Sequence, residues 1–334
     1  TIFIIMINRI LFYNSGGGIG DAIQILPLIN SLRAEFKNSK LYYLCAHENH
    51  FNTNLKELNC QIETINLDIQ YFGFRWWHLF SVKKKLKKYK IEKFDLIVDL
   101  QSKLRNTLIL RMIPHNYFVS SCFNFFLSKP KLKFKKDLTI NKTILNAINK
   151  VLNSKCILQD YNINKINSRY LTESERLLPG KNYVGFSITQ GNIYRKKEWP
   201  ISYIKALCDK LKERNKISVF FIEKKNVDLK KKISSIIPDA LFPEYESGLA
   251  SPALVICLGK RLDFAISIDN GIMHMLSLSK VPMIVLFGPT NSEKFAPNYK
   301  NLIILDSKKI KKTSDISAIN VEDVLKAAMQ YSNF

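Results

Sequence analysis

Short apolar runs alternate along this chain with longer stretches whose apolar residues recur at helical spacing. Residues 9–14 (RILFYN) read as a first strand, followed by a glycine-rich turn at 16–21 and a helix over 22–36. That helix carries Ile25, Leu28, Ile29, Leu32 and Phe36 on one face. Residues 40–45 and 61–66 read as further strands, and 94–100 as a buried strand bounded by charged residues. A second series begins near Tyr183. It has a strand at 183–188, a helix at 200–214 opened by Pro200, a strand at 218–222, a strand at 263–268, a helix at 271–280 and a strand at 282–287. Strands alternating with helices imply doubly wound parallel sheets. The polar stretch 153–181, closed by Pro179-Gly180, reads as a linker. The pattern therefore predicts two Rossmann-like α/β domains, 1–165 and 180–318, facing a cleft. A last helical stretch within 320–334 is expected to pack back on the first domain. In such sheets a ligand belongs at the carboxyl ends of the strands.

Composition narrows this little. Of 334 residues, 46% are hydrophobic, as in an ordinary globular protein. The net charge of +23 implies a surface that attracts polyanions, whether nucleic acid, anionic lipid or a phosphorylated glycan. No nucleic-acid recognition motif accompanies it. The six cysteines at 45, 60, 122, 156, 208 and 257 form no C-x-x-C pair and no zinc spacing, so they read as buried small hydrophobes of a reducing compartment. No run approaches the ~18 apolar residues that span a bilayer. The apolar start, Ile2 to Ile7, lacks a basic flank and a small-residue cleavage site, so a cytoplasmic protein is expected.

The glycine turn excludes the commonest phosphate-binding patterns. Counting from Gly16 or Gly18 puts Asp21 or Ile23 where a dinucleotide fingerprint needs its third glycine, and no Gly-Lys-Ser/Thr follows. Asp21 has two readings: a helix cap, or a general base held ionised at a helix N-terminus. Lys197, just before the helix opened by Trp199-Pro200, is placed to neutralise a diphosphate. Asp269-Asn270-Gly271 joins a strand to a helix and could present backbone N–H groups to a phosphate, with His274 one turn further on.

Five motifs occur in order: G-D-x5-P (Gly20, Asp21, Pro27), F-D-L-I-V-D-L-Q (94–101), K-x-W-P (197–200), D-x-G-x-x-H (269–274) and F-G-P-T (287–290). Together they resemble glycosyltransferase family 9, the ADP-heptose:lipopolysaccharide heptosyltransferases. The resemblance implies the GT-B fold and an inverting transfer of a sugar, heptose in the family, from a nucleotide-diphosphate donor to a lipopolysaccharide core or related envelope glycan. No metal or other cofactor is implied, and an ADP-linked donor is expected from the resemblance. Asp21 corresponds to the base that deprotonates the acceptor hydroxyl, beside Gly18, Gly20 and Gln101 on the acceptor side. Lys197 corresponds to the lysine on the donor phosphates, with Thr189, Asp269, Asn270, Gly271 and His274 completing the donor site. At several points the chain departs from the family pattern. Asn270 stands where threonine is common, 189–192 replaces a Pro-Gly-Ala-like loop, and 221–225 replaces a Gly-Gly turn followed by a ribose-contacting acid, leaving Glu223 and Asp228 as candidates for that acid.

Aromatic residues 71–80 precede the lysine-rich run 81–90, and 123–127 precede 129–136. Either a solvated lysine face covers inward aromatics, or the two segments form a platform for an anionic membrane surface at the inner face of the cytoplasmic membrane and for a lipid-linked acceptor. A competing reading of the whole chain is a non-catalytic basic protein that binds membrane or nucleic acid on the same scaffold.

Overall fold

The computed structural model describes residues 6–15, 17–45, 49–69, 72–101, 103–133, 139–189, 197–332 and 334. Residues 190–192 of the loop singled out above, and 134–136 of the second basic run, lie outside them. The chain forms two compact units, Thr1–Tyr161 and Asn162–Phe334.

The first unit is a five-stranded sheet of order β3-β2-β1-β4-β5, every pairing parallel. Its strands are β1 (Arg9–Asn14), β2 (Lys40–Cys45), β3 (Glu63–Ile65), β4 (Phe94–Asp99) and β5 (His115–Ser120). Its helices are α1 (Ile19–Gln24), α2 (Leu26–Glu35), α3 (His78–Leu86), α4 (Leu104–Arg111) and α5 (Ile140–Leu152). The single helix expected over 22–36 begins earlier, at Ile19, and breaks at Ile25. Pro27 causes the break. It has no N–H to give to residue 23, so the chain restarts a helix with proline in its first turn.

The second unit repeats the plan with order β10-β9-β8-β6-β7, again all parallel. Here the strands are β6 (Tyr183–Ser187), β7 (Ile217–Phe220), β8 (Leu262–Ile268), β9 (Met283–Phe287) and β10 (Leu302–Asp306). The helices are α6 (Ser168–Leu177), α7 (Ile201–Lys212), α8 (Val227–Ile236), α9 (Pro243–Glu246), α10 (Pro252–Gly259), α11 (Gly271–Leu278), α12 (Ser292–Phe295), α13 (Ser307–Ile310) and α14 (Val321–Ala328).

Two expectations about the ends of this unit are corrected. The stretch 153–181 is not a plain linker. It contains α6, whose Tyr170, Ser174 and Leu177 are buried at helical spacing, and which packs on α10. The last helix does not leave for the first unit. α14 turns Val324, Leu325, Ala327 and Ala328 into the core that α7, β9 and β10 share, because that apolar stripe matches the face those elements leave open.

Candidate active site

In each sheet the chain changes direction between two neighbouring strands, and the loops leaving those strands diverge to open a crevice at their carboxyl ends. The first unit's switch point lies between β1 and β4. β1 ends in the buried Asn14, and Gly18 is the N-cap of α1 with an extended backbone and no side-chain capping bond. Asp21 is therefore not the cap. It is the third helical residue, its N–H bonded to the Gly18 carbonyl at 3.1 Å. A Cβ on Gly18 would lie 3.4 Å from Asp21 Oδ2, so the half-buried carboxylate folds back over that glycine.

The strand ends around Asp21 are tied together. Gln101, just past β4, donates through Nε2 to Asn14 Oδ1 at 2.6 Å, and Asn14 Nδ2 donates to the Asp21 carbonyl at 3.3 Å. Beneath them Asp99 is fully buried. Its Oδ2 accepts from the Thr107 and Ser120 hydroxyls at 2.6 and 2.8 Å, and its Oδ1 from the Gln101 N–H at 3.0 Å. Burial raises its pKa from 3.8 to about 6, with the three donors pulling the other way. His50 holds the glycine turn from the side: Nε2 lies 3.0 Å from the Gly17 carbonyl and Nδ1 3.0 Å from Asn54 Nδ2. The amide donates to Nδ1, so the proton sits on Nε2 and is given to Gly17. Sequence reasoning missed Asn14, His50 and Asp99 as parts of this network. Only Asp99 had a signal, a charged residue ending an otherwise apolar strand.

The second switch point lies between β6 and β8. β6 ends at Ser187, and β8 runs through Asp269 into α11, whose N-cap is Asn270 rather than Asp269. Asn270 Oδ1 accepts from the Met273 N–H at 2.9 Å, while its Nδ2 donates to Ser187 Oγ at 2.8 Å and to the Thr189 carbonyl at 2.9 Å. A threonine there has a single O–H to give. Asparagine can cap the helix and also staple it to the loop after β6, which accounts for the departure from the family pattern at this position. Gly271 opens the helix, and its N–H has no acceptor within the helix by construction.

Lys197 and Asp269 meet across 72 residues of sequence. The ammonium lies 2.5 Å from Asp269 Oδ2 and 2.9 Å from the Asp269 carbonyl, with both side chains about nine-tenths buried. Trp199 is buried, donates its indole N–H to the Ile319 carbonyl at 2.8 Å and leans edge-on against Tyr203, which fixes the segment carrying Lys197. His274 is buried one turn into α11. Burial lowers its pKa from 6.5 to about 4, opposed by Asp269 and assisted by Lys197, so the imidazole is neutral. The 287–290 turn is fitted against the chain rather than open to solvent. A Cβ on Gly288 would come within 2.9 Å of Ile316 Cβ and 3.0 Å of the Ser314 carbonyl, and Lys308 Nζ donates to the Pro289 carbonyl at 2.7 Å.

A cavity of about 670 Å³ lies elsewhere, at the amino ends of the first sheet's strands, but one of about 640 Å³ adjoins this second switch point. Thr189, Trp199, Ile201, Asn226 and Asp228 line it, beyond the carboxyl ends of β6 and β7. Of the two acids considered for a ribose, Asp228 is in this wall, and Glu223 is paired with Lys225 on the exposed loop. A third acid, Glu244, went unnoticed in the sequence. It is buried beneath that loop, and its pKa is raised to about 7, chiefly by burial.

The sequence profile of glycosyltransferase family 9 (heptosyltransferase) matches residues 79–325, about three-quarters of the chain. No curated protein matches it by sequence. Among solved structures it is similar to the family 9 glycosyl transferase of Veillonella parvula DSM 2008, with 18% identity, a TM-score of 0.70 and 97% of each chain covered. It is also similar to the E. coli heptosyltransferase WaaC solved with ADP-2-deoxy-2-fluoro heptose, with 15% identity, a TM-score of 0.71, and 96% of this chain and 99% of that one covered. The E. coli ADP-heptose lps heptosyltransferase II follows with 14% identity, a TM-score of 0.66, and 97% and 98% coverage. With two parallel α/β units of the GT-B fold class and a profile match over most of its length, the chain belongs to glycosyltransferase family 9 and is a glycosyltransferase.

Proposed function

We propose that this enzyme transfers a heptose from an ADP-linked donor to the core of a lipopolysaccharide or a related lipid-linked envelope glycan, with inversion at the anomeric carbon and without a metal ion. The observation that carries the reading is the placement of the Lys197 ammonium beside the N-terminus of α11 at the β6/β8 switch point. A leaving diphosphate needs positive charge and N–H donors, and this corner supplies a buried cation, held in position by Asp269, together with the opening N–H groups of a helix. The neighbouring cavity of about 640 Å³ has room for a nucleoside. The neutral His274 adds a polar group without adding charge.

In the first unit, Asp21 takes the proton of the acceptor hydroxyl as its oxygen bonds to the anomeric carbon. The bond from that carbon to the diphosphate breaks with its electron pair, and the β-phosphate leaves on the opposite face. Gln101 and Asn14 hold the backbone of Asp21 while this happens. Such a reaction belongs at the inner face of the cytoplasmic membrane, where a nucleotide donor meets a lipid-linked acceptor. Among the described residues no helix is long and apolar enough to cross a membrane. The test is incubation with ADP-, GDP-, UDP- and CMP-linked sugars and a lipopolysaccharide-core acceptor in the presence of a chelator, with product followed by mass spectrometry. Transfer from the ADP-linked heptose supports the reading. Transfer only from another nucleotide, or only with added metal, overturns the donor or the metal-free part of it.

A further inference from the structure

Of the aromatic residues that precede the first lysine run, Phe72 is buried, but Phe74, Trp76, Trp77 and Phe80 do not turn inward. Every exposed Phe and Trp among the described residues lies in the first unit: Phe74, Trp76, Trp77, Phe80, Phe123 and Phe126. Trp76 is 72% exposed, and Phe80 and Phe123 are 64% exposed. Trp76 packs edge-on against both Trp77 and Phe80, so these side chains form one cluster at the start of α3. α4 continues the apolar surface with Leu104, Leu108 and Met112, each four residues after the last and each two-fifths or more exposed. Arg105 covers the Phe74 ring at 3.4 Å, and Thr107 reaches Ser120 at the root of the turn that displays Phe123 and Phe126. α4 therefore joins the two aromatic segments into one surface, beside the loop that carries Gln101.

The display is built into the fold. Gly73 has a φ of +90° and lies so close to α4 that a Cβ would strike Asn106. Its N–H is held by His78 Nδ1 at 3.2 Å, and the adjacent Phe72 is buried against Tyr13. Asn106 in turn donates to the Tyr13 hydroxyl at 2.9 Å. Exposure of this much aromatic surface on so well-anchored a turn marks an interaction face.

Charge decides the occupant. Between residues 72 and 133 stand fourteen Lys and Arg against three acids, Glu92, Asp95 and Asp99. Asp99 is buried, and Asp95 accepts from the Asn8 N–H at 2.8 Å and from Asn116 at 2.9 Å. Cores of protein–protein interfaces are depleted in lysine, whereas exposed Trp and Phe flanked by Lys suit the headgroup region of an anionic bilayer. We infer that the first unit docks on an anionic lipid surface through the 74–80 cluster, the exposed stripe of α4 and the 123–126 turn, with the lysines of α3 reaching the headgroups. The inference rests on exposure and charge, so it stands or falls separately from the identity of the donor sugar.

The experiment is sedimentation of the full chain with phosphatidylglycerol–phosphatidylcholine vesicles and with pure phosphatidylcholine, alongside tryptophan emission. Of the three tryptophans Trp199 is buried, so a blue shift on binding reports Trp76 and Trp77. Expected are binding to the anionic vesicles only, weakening as salt rises, and a blue shift. Trp76→Ser with Trp77→Ser and Phe80→Ser should lower partitioning at least about tenfold. Lys84→Glu with Lys87→Glu, which leaves the aromatics in place, should lower it by roughly fivefold per charge removed. Both variants should keep the parent's melting temperature. No binding to anionic vesicles, or equal binding by the parent and both variants, overturns the proposal. So does a parent dimer that the aromatic variant converts to monomer, which would make a second copy of the chain the occupant.

Discussion

At the switch point of the first sheet a carboxylate, Asp99, is buried among hydroxyls, whereas at that of the second, Asp269 is buried against an ammonium. Asp99 ends β4 and Asp269 immediately follows β8, and in both places an amide side chain staples the neighbouring loops, Gln101 to Asn14 in one and Asn270 to Ser187 and Thr189 in the other. The same backbone device thus carries different electrostatics. The first unit offers a carboxylate, Asp21, in the first turn of a helix, which suits taking a proton. The second collects a cation and a helix N-terminus, which suits holding an anion. Two sheets of similar topology thus differ in the residues at their edges, and the proposed function rests on that difference.

The largest break of this comparison is expected from Asp21→Asn, which keeps size and shape and removes the proposed base. The transfer rate should fall roughly 10²–10⁴-fold, the range general bases supply, measured by product formation under saturating donor. Next comes the buried pair. Lys197→Ala leaves Asp269 without its cation and should cost about 3–5 kcal/mol of stability, read by denaturant unfolding. Lys197→Met with Asp269→Leu should recover much of that stability while leaving donor binding impaired, which separates the pair's structural part from its binding part.

A third prediction uses the opposite titrations of the two edges. Asp99 is raised from 3.8 to about 6, so its stabilising contribution is present below about pH 4 and lost as pH rises through about 6. His274 is lowered from 6.5 to about 4, so its contribution is present above about pH 6.5 and lost as pH falls through about 4. Relative to the parent, Asp99→Asn should therefore fare better at pH 7 than at pH 4, and His274→Gln better at pH 4 than at pH 7. Each should differ by on the order of 2–3 kcal/mol across its window, measured as unfolding free energy against pH. Slopes of the same sign would contradict the assignment. The smallest effects belong to the staples. Gln101→Leu and Asn270→Thr should each cost about 1 kcal/mol, seen as a small drop in the unfolding midpoint.

Much of the fold was legible because its central strands are mainly apolar runs: β1 and β2 appear at the bounds the pattern predicts, and β4, β6, β8 and β9 within a residue or so. The edge strands β5 and β10 were not read. His115–Ser120 mixes polar and apolar residues with no clean period, and Leu302–Asp306 is a short run with one exposed side. α6 was hidden by its polar face, although its buried positions do follow helical spacing. Residues carried by local motifs could be singled out in the sequence, whereas contacts that depend on distant partners could not. Nothing near Lys197 in sequence reveals that its ammonium meets Asp269, and nothing near His50 reveals that it holds Gly17. The outward turn of Trp76 and Phe80 was undecidable from periodicity, because an aromatic run beside lysines fits either face of a helix.

The division of labour between the units is tested most directly by calorimetric titration of an ADP-linked heptose, in chelator, into the parent, Asp21→Asn and Lys197→Ala. Expected are saturable binding to the parent, an affinity within about twofold for Asp21→Asn, and a loss of roughly 10–100-fold for Lys197→Ala, the cost of a charge-assisted contact to phosphate. Absence of binding to the parent, or equal losses in the two variants, would contradict a donor site built by the second unit alone.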